Sequence, residues 1–121
     1  MKSVLVVEDE PDLRFLMRDI LELFGYRVVT AGNGQEALDV LGNGEIPGLI
    51  FLDITMPIMS GREFLDTLHS GRYPHLVDIP IVVVSAVADF VDLQARYHCI
   101  ALIKKPMEID SLRAFAQQFA A

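Results

Sequence analysis

The stretch that decides the fold runs from Leu49 to Gly61 and reads LIFLDITMPIMSG. Its first four residues are apolar without alternation, which is typical of a strand buried on both faces of a parallel sheet. Pro57 ends the extended run and pushes the residue before it away from helical angles. Ser60 then starts a helix, with Glu63 three residues on to complete a capping box. The pattern places the Asp53 carboxylate at the carboxyl end of a buried strand, where open α/β sheets bind ligands.

Length and composition favour a single domain spanning residues 1–121. The chain is 52% hydrophobic, which is enough for a real core and argues against disorder. A net charge of −7 disfavours nucleic acid and anionic membranes as partners, since both require basic patches. Cys99 is the single cysteine, so no internal disulfide can form and a cytoplasmic setting is expected. The apolar run Val4–Val7 is too short for a signal peptide or a membrane insertion. Because the last helical segment reaches the chain end, we expect no attached output domain.

Five short apolar segments alternate with helical segments along the chain. We predict strands at 4–7, 27–30, 49–52, 81–84 and 100–103. In the first helix an apolar stripe includes Leu13, Leu16 and Ile20, while Phe15 falls off it. Gly25 ends that helix, and Asn33 caps the second. Alternating β and α segments imply a parallel sheet with helices on both faces and right-handed crossovers.

Four predicted strands end in polar groups, and parallel strands bring their ends to one edge. There, Glu8, Asp9 and Asp53 would lie close together. Two carboxylates about 4 Å apart repel by roughly 4 kcal/mol at an effective dielectric near 20, so such a cluster holds protons or a cation. An all-oxygen site suits Mg²⁺. Ser85 and Lys105 could then bind phosphoryl oxygens, with Asp53 acting as the nucleophile that forms an aspartyl phosphate.

Five segments carry a resemblance to one family: VLVVEDE, AGNGQEAL, LIFLDITMPIMSG, PIVVVSA and KKP. With them the chain resembles, from end to end, the receiver domain of bacterial two-component response regulators. The resemblance implies a flavodoxin-like (βα)5 fold, a doubly wound five-stranded parallel sheet of order 2-1-3-4-5. It also implies site residues: Asp53 as phosphoacceptor, Ser85 and Lys105 beside it, and Mg²⁺ (or Mn²⁺) on Glu8, Asp9, Asp53 and the backbone carbonyl of Thr55. We expect the Ser85 and Lys105 donors to reach a phosphoryl group rather than the bare pocket.

The resemblance implies a phosphoacceptor signalling domain and not an enzyme. It would take a phosphoryl group from a phosphohistidine on a sensor histidine kinase or a histidine phosphotransfer protein. Phosphorylation would shift a two-state conformational equilibrium, and an output protein would bind one of the two states. The sequence does not identify that output protein. Two alternatives stay open. One is an interaction module without phosphate cycling. The other is a magnesium-dependent phosphohydrolase, which is disfavoured because Thr55 stands where such enzymes have a second acid.

Several positions depart from the family pattern. Leu102 stands where an aromatic is common, so we expect a weakened switch, with the response carried by the loop after Ser85 and the fourth helix. His98 replaces a usual glycine, and a helix C-terminal role is favoured over a metal-ligand role. Val87 cannot orient an attacking water, which predicts a long-lived phosphorylated state. Phe15 is a candidate docking residue because family kinases dock along the first helix, although single exposed apolar residues are common.

Overall fold

The computed structural model describes residues 3–86, 90–97 and 99–120 of the chain. Strands and helices alternate throughout: β1 Val4–Val7, α1 Pro11–Leu23, β2 Val28–Ala31, α2 Gly34–Gly42, β3 Leu49–Asp53, α3 Gly61–Leu68, β4 Ile81–Ser85, α4 Phe90–Tyr97, β5 Ala101–Lys104 and α5 Ile109–Phe119. The strands form one parallel sheet in the order β2-β1-β3-β4-β5, which confirms the predicted order. Within the described ranges, we find no helix with the length and apolar character needed to cross a membrane.

Helices cover both faces of the sheet, so the three central strands are buried on both sides. Every residue of β1, β3 and β4 is buried. Successive strand residues point to opposite faces, and they divide the core into two clusters. Leu52 packs with Phe64 beneath α2, α3 and α4, whereas Phe51 packs with Met17 and Leu112 beneath α1 and α5. The uninterrupted apolar runs in the sequence reflect this two-sided burial.

The helix ends follow local sequence signals. The Asn33 side chain accepts a hydrogen bond from the backbone N–H of Glu36 at 2.9 Å, which caps α2. At α3, Ser60 and Glu63 form the predicted capping box. Gly25 follows the last turn of α1 with φ +94°, a backbone angle that favours glycine. These signals fix where each helix begins and ends relative to the strand before it.

Some details of the elements differ from the predictions. Strands β2 and β5 each run one residue later than predicted. Leu16, predicted to lie on the buried face of α1, is 51% exposed, whereas Met17 and Ile20 on the same helix are buried. Helical periodicity identifies residues that share a face, but not how wide a face the sheet covers. The predicted start of α4, at Asp89, lies outside the described residues.

Candidate functional site

Parallel pairing brings the carboxyl ends of the strands to one edge of the sheet. The β1–β3 ladder pairs Val7 with Leu52, so the next residues, Glu8 and Asp53, leave neighbouring strands at the same level. Ser85 ends β4 in the adjacent position. A cavity of about 400 Å³ opens at this edge, and it is lined by Asp9, Glu10, Asp53, Thr55, Ser85, Ala86 and Lys105. The predicted convergence of strand-end groups is therefore present.

Three carboxylates form an acidic cluster at this edge. One oxygen from each of Glu8, Asp9 and Asp53 lies within 4.8 Å of the others. Glu8 is only 1% exposed and Asp53 only 3% exposed. Backbone N–H groups orient both buried carboxylates: that of Glu10 donates to Glu8 Oε2 at 3.1 Å, and that of Thr55 donates to Asp53 Oδ1 at 3.2 Å. The cluster is thus held by main-chain donors as well as by burial.

Lys105 balances part of this negative charge. Its Nζ lies 3.0 Å from Glu8 Oε1 and 3.3 Å from Asp53 Oδ2. The contact with Asp53 has hydrogen-bond geometry, whereas the contact with Glu8 is an ion pair that leaves Oε1 without a directed hydrogen bond among the described residues. The expectation that Lys105 would not engage the bare pocket is therefore wrong, because its long side chain reaches from the end of β5 past β4 to Asp53 and meets Glu8 beyond β3. The neighbouring Lys104 is exposed.

Burial shifts the proton affinities of these groups. It raises the pKa of the Glu8 carboxyl to about 7, although Lys105 opposes the shift. It also raises the pKa of Asp53 against the same opposing charge. Burial alone would raise the pKa of Asp9, but the neighbouring carboxyl groups of Glu8 and Asp53, which take up a proton more readily, bring it below its usual value. Burial alone would lower the pKa of Lys105, but its contacts with Glu8 and Asp53 raise it, so the ammonium stays charged.

The donor set fits a hard divalent cation. Three carboxylates face one ammonium, so the cluster carries excess negative charge when all four groups are ionised. The Glu8 oxygen at 3.0 Å from Lys105 is buried and lacks a directed hydrogen bond. Oxygen ligands of this kind suit Mg²⁺ or Mn²⁺, which bind carboxylates and retain open positions for other oxygens. A cation would neutralise part of the negative charge of the three carboxylates, which Lys105 alone does not balance.

The structure gathers the side chains predicted for the site and adds one residue that sequence reasoning missed. At Thr55 it is the N–H that contacts Asp53. Arg14 of α1 was not predicted, yet its Nη1 donates a hydrogen bond to the main-chain oxygen of Glu8 at 2.9 Å. The sequence feature that could have identified Arg14 is its position near the start of α1, directly after the acidic loop. Val87 and His98 lie outside the described residues.

Comparison with known proteins places the chain in one family along nearly its whole length. The family described as "Response regulator receiver domain" matches residues 4–117. The polar-differentiation response regulator DivK of Brucella anthropi is 37% identical over 110 residues, covering 89% of this chain and 87% of that protein. A probable transcriptional regulator, ycf27 of Cyanophora paradoxa, is 37% identical over 91 residues, covering 75% of this chain and 36% of that protein. The chain thus spans about a third of the length of relatives of the second kind.

Solved structures agree with the sequence comparisons. Chemotaxis protein CheY4 of Vibrio cholerae superposes with a TM-score of 0.87 at 25% identity, over 98% of both chains. The response regulator TrrA of Thermotoga maritima, solved in complex with Mg(2+)-BeF, superposes with a TM-score of 0.80 at 30% identity, again over 98% of both chains. With its strand order, its acidic strand ends and these matches, the chain belongs to the response regulator receiver domain family.

Proposed function

We propose that the chain is a phosphoacceptor in two-component signalling and that Asp53 accepts the phosphoryl group. The observation that carries this proposal is the setting of the Asp53 carboxylate. It ends a buried strand, it opens onto the 400 Å³ cavity, and its two oxygens have different partners. One oxygen accepts from the Thr55 N–H, and the other lies beside Lys105. A carboxylate held in this way is positioned for nucleophilic attack.

The transfer requires positioning and charge neutralisation more than covalent assistance. An Asp53 oxygen forms a bond to phosphorus as the P–N bond of the phosphohistidine breaks. The imidazole nitrogen keeps the bonding electron pair, and with a proton on the other ring nitrogen the donor departs as a neutral imidazole. The Lys105 ammonium and the Ser85 hydroxyl line the same cavity, so both can donate to phosphoryl oxygens.

We propose that Glu8, Asp9, Asp53 and the backbone carbonyl of Thr55 hold Mg²⁺, or Mn²⁺ in its place. When bound, the ion supplies positive charge to phosphoryl oxygens. The support in this chain is the acidic cluster, whose oxygens lie within 4.8 Å of one another. Lys105 already contacts two of these carboxylates, so the ammonium must share them with the cation or move away.

Intact-mass measurement after incubation with acetyl phosphate and Mg²⁺ tests the proposal. We expect one added phosphoryl group in the wild type and in Asp78→Asn, an exposed control on the loop before β4. We expect none in Asp53→Asn. Labelling of Asp53→Asn at a comparable rate would overturn the assignment. A folded wild type that never labels would favour the interaction module, and steady phosphate release without labelled protein would favour the phosphohydrolase.

We propose a sensor histidine kinase or a histidine phosphotransfer protein as the donor, acting in the cytoplasm. Phe15 supports a docking site on α1, since it is 39% exposed and its ring lies under two guanidinium groups, those of Arg14 at 4.8 Å and Arg18 at 4.7 Å. A mainly apolar depression of about 450 Å³ joins α1 to the turn after β5, and it is lined by Glu10, Asp12, Leu13, Leu16, Lys105, Pro106 and Met107. Glu10 and Lys105 also line the Asp53 cavity, so a partner seated here would reach it.

The docking role of Phe15 has its own test. We expect Phe15→Ala to label at the wild-type rate from acetyl phosphate but more slowly from the phosphorylated kinase or phosphotransfer protein. Equal slowing with both donors would indicate a damaged fold and would remove Phe15 from the docking site.

A further inference from the structure

The main chain of Glu8 leaves the sheet at the point where the acidic cluster begins. Its N–H still bonds to the oxygen of Ala31, the last residue of β2, at 3.0 Å. Its carbonyl lies beyond that ladder, and Glu8 is 1% exposed, so the oxygen needs a partner from elsewhere in the protein. Arg14 supplies it, with Nη1 donating at 2.9 Å. A side chain of α1 thus completes the main-chain hydrogen bonding of the acidic loop.

The turn between β2 and α2 leaves room for this guanidinium. A Cβ atom added at Gly32 would lie 3.0 Å from Arg14 Nη1 and 3.1 Å from Glu36 Oε2. The Glu36 carboxylate is itself fixed, since it accepts from the Gly32 N–H at 3.2 Å and from Asn33 Nδ2 at 3.1 Å. The Phe15 ring centroid lies 4.8 Å from Arg14 Cζ, but the ring contacts Arg18 in the same way and so does not distinguish the two arginines. The fixed Glu36 carboxylate and the glycine therefore define the space available to Arg14.

The hydrogen bond from Arg14 acts on both acids of the loop at once. The carbonyl of Glu8 and the N–H of Asp9 belong to one planar peptide unit. If the carbonyl lost its donor and turned toward water, the whole unit would rotate. That rotation would change the backbone angles that aim the Glu8 and Asp9 carboxylates. It would also displace the Glu10 N–H that donates to Glu8 Oε2 at 3.1 Å.

We propose that Arg14 is a positioning residue for the acidic cluster, holding the Glu8 carbonyl so that the Glu8 and Asp9 carboxylates stay aimed at the cation. This inference rests on the proposed function in one respect, that these two acids hold Mg²⁺. Arg18 offers a matched comparison, because it lies on the same helix and at 4.7 Å from the same Phe15 ring. Its ion pairs are with Asp19 and Glu22, away from the loop.

The test compares Arg14→Met, Arg14→Lys and Arg18→Met in the full chain labelled with ¹⁵N. Mg²⁺ is titrated while the amide resonances of Glu10 and Thr55 are followed. Separately, hydrogen exchange of the Glu10 amide is measured without metal. We expect Arg14→Met to weaken Mg²⁺ binding about tenfold, the lower end for residues that orient metal ligands. We also expect it to speed exchange at Glu10. Arg14→Lys should keep part of the Mg²⁺ affinity and part of the protection of the Glu10 amide, since a hydrogen-bond donor remains. Arg18→Met should change neither the Mg²⁺ affinity nor the exchange rate of the Glu10 amide.

A second variant perturbs Arg14 without removing it. Gly32→Ala crowds the guanidinium and should weaken Mg²⁺ binding in the same direction, whereas Gly42→Ala, with nothing within 4 Å of the new Cβ, should not. Wild-type Mg²⁺ affinity and wild-type Glu10 exchange in folded Arg14→Met would overturn the proposal, as would equal losses in Arg18→Met. If the wild type itself fails to bind Mg²⁺, the proposed metal site is wrong, and Glu10 exchange in the metal-free variants still decides the role of Arg14.

Discussion

Replacing Lys105 with methionine removes the ammonium from the acidic cluster while keeping a side chain of similar length. In the metal-free protein, Lys105 Nζ lies 3.0 Å from Glu8 Oε1 and 3.3 Å from Asp53 Oδ2. The variant leaves these two buried carboxylates facing each other and Asp9 without a neutralising charge. We therefore expect Lys105→Met to destabilise the metal-free protein and to leave Mg²⁺ binding intact or tighter.

The size of the loss follows from the contacts and their exposure. Each contact is worth about 5 kcal/mol as bare Coulomb energy at an effective dielectric near 20. The net value is smaller, because the charges also lose hydration and because Glu8, with its raised pKa, can take up a proton. Breaking a fully buried pair costs about 3–5 kcal/mol, and breaking an exposed pair costs less than about 1 kcal/mol. Since the Lys105 side chain is 22% exposed, we expect a loss of about 2 kcal/mol near neutral pH.

Urea unfolding with and without Mg²⁺ measures this loss. About 2 kcal/mol corresponds to a midpoint lowered by about 1 M urea, at a slope of about 2 kcal/mol per molar. Saturating Mg²⁺ should shrink the deficit, because the cation takes over the neutralising role and binding stabilises the folded state. Lys104→Met, at an exposed neighbour of the same chemistry, is the control. Equal losses in both variants would refute the reasoning, as would a folded Lys105→Met protein that no longer binds Mg²⁺.

Four further outcomes follow from the structure. Gly61→Ala would place a Cβ 2.3 Å from the main-chain oxygen of Asp53. We therefore expect the free energy of unfolding to fall by more than about 2 kcal/mol in thermal unfolding, and phosphoryl labelling of Asp53 to slow. A variant with near wild-type stability would contradict this expectation. The metal-free protein should lose stability as pH rises from about 5 to about 7, because native Glu8 keeps its proton after the unfolded chain has lost it. Urea midpoints that rise over this range would contradict the assignment. Ile58 is 82% exposed and has φ +69°, a backbone angle that strains a β-branched residue. Ile58→Gly should therefore leave the free energy of unfolding unchanged or raise it by up to about 1 kcal/mol, measured by thermal unfolding. A clear loss of stability would show that the backbone at Ile58 is unstrained. A beryllofluoride mimic at Asp53 should shift amide resonances in α4 more than in β5, and the reverse order would place the switch in the strand.

The strand order and the gathering of acids could be predicted because each depends on a property that the sequence displays directly. A continuous apolar run such as Leu49–Leu52 occurs where both faces of a strand are covered. Parallel strands end at one edge, so a polar residue closing each run must meet the others. This is why the positions of Asp53, Glu8 and Ser85 at one edge of the sheet followed from their positions in the chain, before any side-chain geometry was known.

Contacts made by long side chains could not be predicted in the same way. Lys105 reaches past two strands, β4 and β3, to Glu8, and Arg14 reaches back over the acidic loop to a main-chain oxygen. Both side chains have several rotatable bonds, and their direction depends on neighbours that are distant in sequence. The exposure of Leu16 was missed for a related reason, since it depends on how far the sheet and α5 extend under α1.

Contacts between α3 and α4 show how tightly α4 is held in the absence of a phosphoryl group. Arg62 Nη1 bonds to Asp92 Oδ2 at 2.8 Å, and the Tyr97 hydroxyl donates to the Asp66 carboxylate. Both partners of the ion pair are more than a third exposed, so it contributes at most about 1 kcal/mol. A hydrogen bond to a charged group contributes about 1.5–3 kcal/mol. These two polar contacts therefore hold α4 against α3 by about 1.5–4 kcal/mol.

The free energy of these α3–α4 contacts sets how strongly a phosphoryl group on Asp53 must favour a second conformation in order to move α4. Moving a two-state equilibrium from 1:99 to 99:1 requires about 5.5 kcal/mol of differential binding, so ties of this strength can be overcome by a ligand that distinguishes the two states. The path to α4 is short, because α3 begins at Gly61, whose N–H donates to Ile54 next to Asp53 at 2.9 Å. Leu102 of β5 is half-buried against the core beneath α4, and it has no polar group whose hydrogen bond could differ between states. Leu102 offers no such polar contact to exchange, so we expect the response to a phosphoryl group on Asp53 to appear in α4 and in its contacts with α3 rather than at Leu102.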